Sequence, residues 1–268
     1  EVSLSHMLKA TTPEETKLWL RAFNDLEDPE ASNQKSEYTT NSEFVQSQVI
    51  HYLSEFTLDH NFVLETATFF FKGTAKLEQQ NDIRPRGKLQ YLNSLTDSKH
   101  FRLTSGKWPA SSPDYSDDTE VAIDSLGSDL LEITVGDKIT IFPAASTADT
   151  HIKVNVRIVG IFERLTPNAD YWSGHDKDFS YKDQRWSVVP LFTTEKNITD
   201  NLSHIYERLY TNSTWIINLD IQKINASNIK DLITIIHDIR TRTIRNLTHG
   251  TTSIKIDRIL EQHQKEIL

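Results

Sequence analysis

The stretch that decides the fold runs from FRLTSGKWP at 101–109 through EVAI at 120–123 and ITVGDKITIF at 133–142 to VNVRIVGIFE at 154–163. Apolar and β-branched runs bounded by turn residues predict short strands at 120–123 and 138–142 and a longer one at 153–163. Gly136 and Asp137 suit a tight connection ahead of the second strand, since glycine tolerates positive φ and aspartate bonds back to the turn backbone. Val154, Val156 and Ile158 supply the apolar side of the third strand, and Gly160 predicts a local adjustment before Phe162. Upstream, Gly106, Pro109, Pro113 and the acidic Asp114, Asp117 and Asp118 form a turn-rich approach to Glu120. Closely spaced short strands of this kind predict a compact β-rich unit.

Toward the amino end the periodicity changes. Thr12, Pro13 and Glu15 combine an N-cap, a first-turn proline and a capping-box partner, and Leu18, Trp19, Ala22, Phe23 and Leu26 share one side of a helix that Asp28 and Pro29 would end. Val2 to Leu4 predicts a short strand before it, and 30–41 a polar loop after it. A second helix from Ser42 would bury Val45, Val49, Tyr52, Leu53 and Phe56. Strands are expected at 61–71 and 88–95.

Toward the carboxyl end, Asp200 is a candidate cap for a helix bearing Leu202, Ile205, Tyr206 and Leu209. A strand at 214–219 and a long helix from Ser227 with Ile229, Leu232, Ile233, Ile236 and Ile239 follow, and a last helical pattern spans 253–268. The expected class is α+β. Residues 1–96 and 188–268 would form one discontinuous domain around a small β-rich domain at 97–187.

Composition narrows the function classes. The net charge of -9 comes from 38 acidic and 29 basic residues spread along the 268, with no basic stripe of the kind that neutralises phosphates, so no nucleic-acid partner is expected. The absence of cysteine excludes thiolate nucleophiles, Cys-based zinc sites and iron–sulfur ligation, and is compatible with export. No apolar run approaches the roughly 20 residues of a membrane span. The sequence begins without an initiator Met or a signal-like segment, as a region trimmed from a longer chain would.

Motifs for chemistry fail one by one. There is no G-x-S-x-G elbow, and Ser105 reads as a turn residue. No H-E-x-x-H, P-loop or dinucleotide fingerprint occurs. His175 with Asp170, Asp176, Asp178 and Asp183 is the densest set of possible ligands, but an EF-hand register from Asp176 would place Tyr181 and Ser187 where glycine and glutamate are needed. The expectation is a protein without catalytic residues, cofactor or metal.

Two features remain. Tyr171, Trp172, Phe179, Tyr181 and Trp186 could contact a partner or stack on a sugar, or Trp172 and Trp186 could fold over the β-rich domain as anchors. N-x-S/T occurs at Asn197, Asn201, Asn212, Asn225 and Asn246, which permits glycosylation in a secretory pathway but also arises readily in a chain rich in Asn, Ser and Thr.

The succession Gly106 with Pro109, Glu120 with Val121, Gly136 with Asp137 and Ile139, and Val159 with Gly160 and Ile161 resembles the extracytoplasmic domain of ABC-transporter permeases of the MacB and FtsX-like superfamily. WIINLD at 215–220 and the helix after it look like the returning part of that family's porter-like domain. The resemblance implies a discontinuous porter-like α/β domain with an inserted small β-rich domain, held between transmembrane helices of the same permease. It also implies a separate cytoplasmic ATPase domain or subunit, and a role in transmitting ATP-driven motion and contacting cargo or an accessory protein. Alternatives from the residues themselves are a secreted carbohydrate- or peptide-binding protein using the aromatic segment, and an extracytoplasmic hydrolase with a remote Ser/His/Asp set.

Overall fold

The computed structural model describes residues 2–27, 35–73, 85–112, 118–143, 153–166, 171, 178–182, 187–206, 208–247 and 249–267. The fold is α+β. It divides into one unit of Glu1–Asn24, Lys35–Phe62 and Ser213–Leu268, and a second of Asp25–Gln34 and Val63–Asn212. Residues 63–96 and 188–212, grouped with the chain ends on sequence, thus fall in the second unit.

The second unit is built on strands β3 (Phe69–Lys72), β4 (Arg86–Gly87), β5 (Leu89–Leu92), β6 (Phe101–Gly106), β7 (Thr119–Asp124), β8 (Lys138–Pro143), β9 (Val154–Arg164), β10 (Tyr181–Lys182), β11 (Ser187–Val188) and β12 (Leu191–Phe192). Their pairings close a ring. β3 pairs with β8, β8 with β9, β9 with β7, β7 with β12, and β12 with β5, while β4, on the same run as β5, pairs back onto β3. Closure leaves few open edges and an interior filled by side chains. Val121, Ile123, Ile139, Ile141, Val156, Ile158, Leu89 and Leu191 are all buried. β6 stands beside the ring, paired with β9.

Strand β2 (Thr57–Thr66) precedes this ring, and the single strand expected at 61–71 is in fact two. Val63, Leu64 and Glu65 pair with Leu92, Tyr91 and Gln90, but Phe69 then pairs with Gly87, a slip of one residue taken up at Ala67 and Thr68. Such a bulge bends the strand and increases its twist, as a closing sheet needs. The backbone N–H of Ala67 donates to Tyr210 O at 3.2 Å instead of joining the hairpin ladder. A helix absent from the sequence reading, α3 (Ser125–Leu131), follows β7 directly, capped by Asp124, whose carboxylate accepts from Gly127 N.

In the first unit, helix α1 (Val2–Lys9) occupies the place of the expected strand. The expected helix from Thr12 is instead strand β1 (Lys17–Glu27). The capping-box residues do pair, with Thr12 N and Oγ1 both donating to Glu15 Oε2, and these bonds hold Glu15 below its usual value; but they close only a turn. Leu18, Leu20, Ala22, Asn24 and Leu26 are buried, while Arg21 and Phe23 between them are exposed. The period is two, and Leu18, Ala22 and Leu26 fit both a strand and a helix face because four is a multiple of two. Pairing decides: Leu18 to Arg21 lie against strand β14 (Thr251–Ile254).

Helix α2 (Glu37–Phe44) starts earlier than expected, at the Ser36 cap, and continues through Val45–Ile50 to Phe56. Its wide π turns bring Val45, Val49 and Leu53 inward and leave Tyr52 49% exposed, against the expected burial. Near the other end, α4 (Asn197–Leu202, continued by Ser203–Ile205) begins before Asp200, and Leu209 belongs to strand β13 (Arg208–Leu219). Helix α5 (Ile229–Asn246) buries Leu232, Ile236 and Ile239 as expected. The expected last helix is divided into β14 and α6 (Ile256–Ile267). Polar pairs fix the unit: the buried Asn41 donates to Asn24 and Asn24 to Ser213, both at 2.9 Å, and the partly exposed Arg240 bridges to Asp257 at 2.5 Å.

Candidate functional site

Two glycines of the 101–163 stretch meet. Gly106 lies opposite Gly160 in the β6–β9 register, and β9 carries an extra residue at Val159 against β7. A Cβ on Gly160 would come within 2.2 Å of Lys107 O, so glycine is what lets the chain leaving β6 lie close. Gly136 serves the other side of β9: with φ of +101° it completes a turn in which Asp137 accepts from Thr134 N, and its own N–H donates to Ile158 O at 2.8 Å.

From Gly106 the chain forms a strap, 107–112, held by polar side chains. Glu120, largely buried on β7, accepts from Lys107 Nζ at 3.0 Å, Arg157 Nη2 at 3.1 Å and Ala110 N at 3.1 Å. Burial raises its carboxyl, but the Lys107 and Ala110 bonds and the two cations outweigh that and hold it below the usual value. On α4, Asn197 donates to Ala110 O and accepts from Ser112 N, and Asn201 donates to Ser112 O. Four residues apart, both amides face the same side of the helix. That spacing was visible in the sequence; its target, 85 residues away in the chain, was not.

The aromatic segment divides between surface and core. Phe179 is 1% exposed, stacked on Phe192 with centroids 5.6 Å apart and covered by the Arg164 guanidinium at 4.3 Å. It belongs to a cluster with Phe101, Phe162 and Phe192, where its ring packs inside. Tyr171 stacks flat on His100 at 3.5 Å and donates to Ser94 Oγ at 3.0 Å, lying against the same cluster with its ring half-buried. Tyr181 is half-buried on β10, opposite Val188. Trp172 and Trp186 lie outside the described residues, as do Asp170, His175, Asp176 and Asp183. Asp124 ties the segment down: besides capping α3 it accepts from Ser180 N at 2.7 Å.

An open groove of about 350 Å³ lies beside the strap, lined by Tyr91, Ser111, Thr194, Glu195, Lys196, Thr199 and Asp200. Ser111 and Thr194 share a hydroxyl hydrogen bond across it at 3.0 Å. Burial and the Glu195 charge raise the Tyr91 hydroxyl, which stays protonated. On its wall the Thr199 hydroxyl donates to Asp200 Oδ1 at 2.8 Å and to the Glu195 carbonyl at 3.2 Å. Among the described residues no set of three or more His, Asp or Glu is gathered to hold a metal ion. Ser105 is exposed on β6, with Ile161 as its strand partner. No described helix is long and apolar enough to cross a membrane.

No family model matches the sequence, and no curated protein matches it. Among solved structures, one from Porphyromonas gingivalis, provisionally described as a domain of a permease protein, is similar at 10% identity, with 90% of this chain and 89% of that chain covered and a TM-score of 0.36.

Proposed function

We propose that this chain is the extracytoplasmic module of an ABC-transporter permease of the MacB and FtsX-like kind, transmitting ATP-driven conformational change and contacting cargo or an accessory protein without chemistry of its own. The observation that carries this is the assembly of the 106–161 phrase. Gly106 sits opposite Gly160, the Gly136–Asp137 turn bonds to Ile158 on the same strand, and Glu120 and Val121 pair with Arg157 and Ile158. Fragments that are commonplace singly are parts of one strand set.

In this assignment, transmembrane helices of the same permease anchor the module and a cytoplasmic ATPase domain or subunit drives it. The contact surface includes Tyr171, Trp172, Tyr181 and Trp186, with Phe179 anchoring the segment from inside. The test uses the whole permease. Detergent-extracted full-length protein should carry or copurify with an ATPase, and the isolated module should neither bind nor hydrolyse ATP. Robust ATP turnover by the isolated module, or a full-length chain without flanking apolar spans, overturns the assignment. Replacing Trp172 or Trp186 should weaken partner capture while leaving the thermal midpoint unchanged; equal capture by the folded variants removes both from the surface.

A further inference from the structure

Five N-x-S/T sequences are equivalent on paper, and the fold makes them unequal. Asn197 and Asn201 are buried, and their amides are spent on the strap and on each other. Asn212 is half-buried within β13. Asn246 is exposed but helical, its Nδ2 donating to Arg242 O at 2.8 Å. Asn225, Ala226 and Ser227 are all exposed, in the turn that leads into α5. There the Ser227 hydroxyl and backbone N–H both donate to Asn225 Oδ1, at 2.5 and 3.0 Å.

We infer that Asn225 is an acceptor site for N-linked glycan, with a lipid-pyrophosphate-linked oligosaccharide as donor and Ser227 as its positioning residue. In the transfer, Asn225 Nδ2 attacks C1 of the first sugar. The N–C bond forms, the C1–O bond breaks with its electron pair leaving on the lipid pyrophosphate, and the amide proton passes to a carboxylate of the transferase. The two donors on Oδ1 stabilise the negative charge that this oxygen takes up as the amide is deprotonated. An exposed turn also offers the three residues to a transferase without unwinding a helix or pulling a strand from its sheet.

Occurrence in a cell rests on the extracytoplasmic placement proposed above; an assay with purified components does not, so the two can fail separately. The folded chain is incubated with a purified single-subunit oligosaccharyltransferase and its lipid-linked donor, and occupancy is mapped by intact mass and peptide sequencing. Synthetic peptides covering each sequence serve as the unfolded reference. Glycan is expected at Asn225 of the folded chain, with Asn197 and Asn201 modified only in their peptides. Ser227→Ala should lower occupancy about tenfold, the loss of one activating hydrogen bond, and Ser227→Thr should keep it. A folded chain left unmodified at Asn225 while its peptide is modified overturns the inference, and so does modification of Asn197 in the folded chain as fast as Asn225.

Discussion

Residues 101–164 and residues 12–27 both carry strong local signals, yet the strands and the glycine turn read in the first are found, whereas the helix read in the second is a strand. In 101–164 the signals are glycines that a side chain would disturb: a Cβ would clash at Gly160 against Lys107 O and at Gly106 against Val159 O, and Gly136 holds a positive φ. These are steric demands, and alternative folds of the same stretch would leave them unexplained. In 12–27 the signals are a cap and an apolar face, and both are met without a helix. The Thr12–Glu15 bonds close a turn, and Leu18, Ala22 and Leu26 fill a strand face. Permissive signals yield to tertiary pairing; forbidding ones do not.

This contrast can be broken by mutation. The largest effect is expected for Gly160→Ala, whose Cβ would meet backbone at 2.2 Å, with a loss of more than about 3 kcal/mol in urea unfolding. A loss under about 1 kcal/mol would mean that the β6–β9 approach is adjustable and the glycine merely convenient.

Leu20→Ala and Phe23→Ala sharpen the other side. Leu20 is fully buried on β1 and its truncation should cost about 3 kcal/mol, whereas Phe23, 38% exposed, should cost about 0.5. On a helical face Phe23 would have been the core residue, so a reversed order would restore the helix.

Glu120→Gln should cost about 1–2 kcal/mol at neutral pH, since Lys107 and Arg157 lose their charged acceptor and both are themselves half-exposed. The folded carboxyl lies below its ordinary 4.5, so its stabilisation is complete above that value and disappears as pH falls through the lower folded one. The wild type should therefore lose stability over that acid range more steeply than the variant, and parallel curves would refute the role given to Glu120. The smallest glycine effect belongs to Gly136→Ala, about 1 kcal/mol, because nothing lies within 4 Å of its Cβ position and only the φ of +101° resists.

At the site, the aromatic segment shows a parallel limit of the sequence. Phe179 and Tyr171 are both ring-bearing residues in a polar stretch, and nothing local separates the buried one from the half-buried one. What separates them is Phe192 and Arg164, which reach Phe179 only through the folded sheet. The Asn197–Asn201 ladder was hidden because it acts on a strap 85 to 89 residues away in the chain; the Glu120 clamp reaches that strap across only 10 to 13 residues, but no local period or turn signal marks that carboxylate as the acceptor.

The sequence by itself determined the α+β class, the strands β7, β8 and β9, the Gly136 turn, the irregularity near Gly160 and the apolar face of α5, because each follows from sterics or periodicity within about ten residues. Only the tertiary structure decided that β1 is a strand, that 61–71 breaks at Ala67, that the ring closes through β3 and β4, and that one N-x-S/T sequence stands open while two are buried. Each of those outcomes depends on which distant backbone or side chain satisfies a hydrogen bond, and a local pattern does not encode that partner.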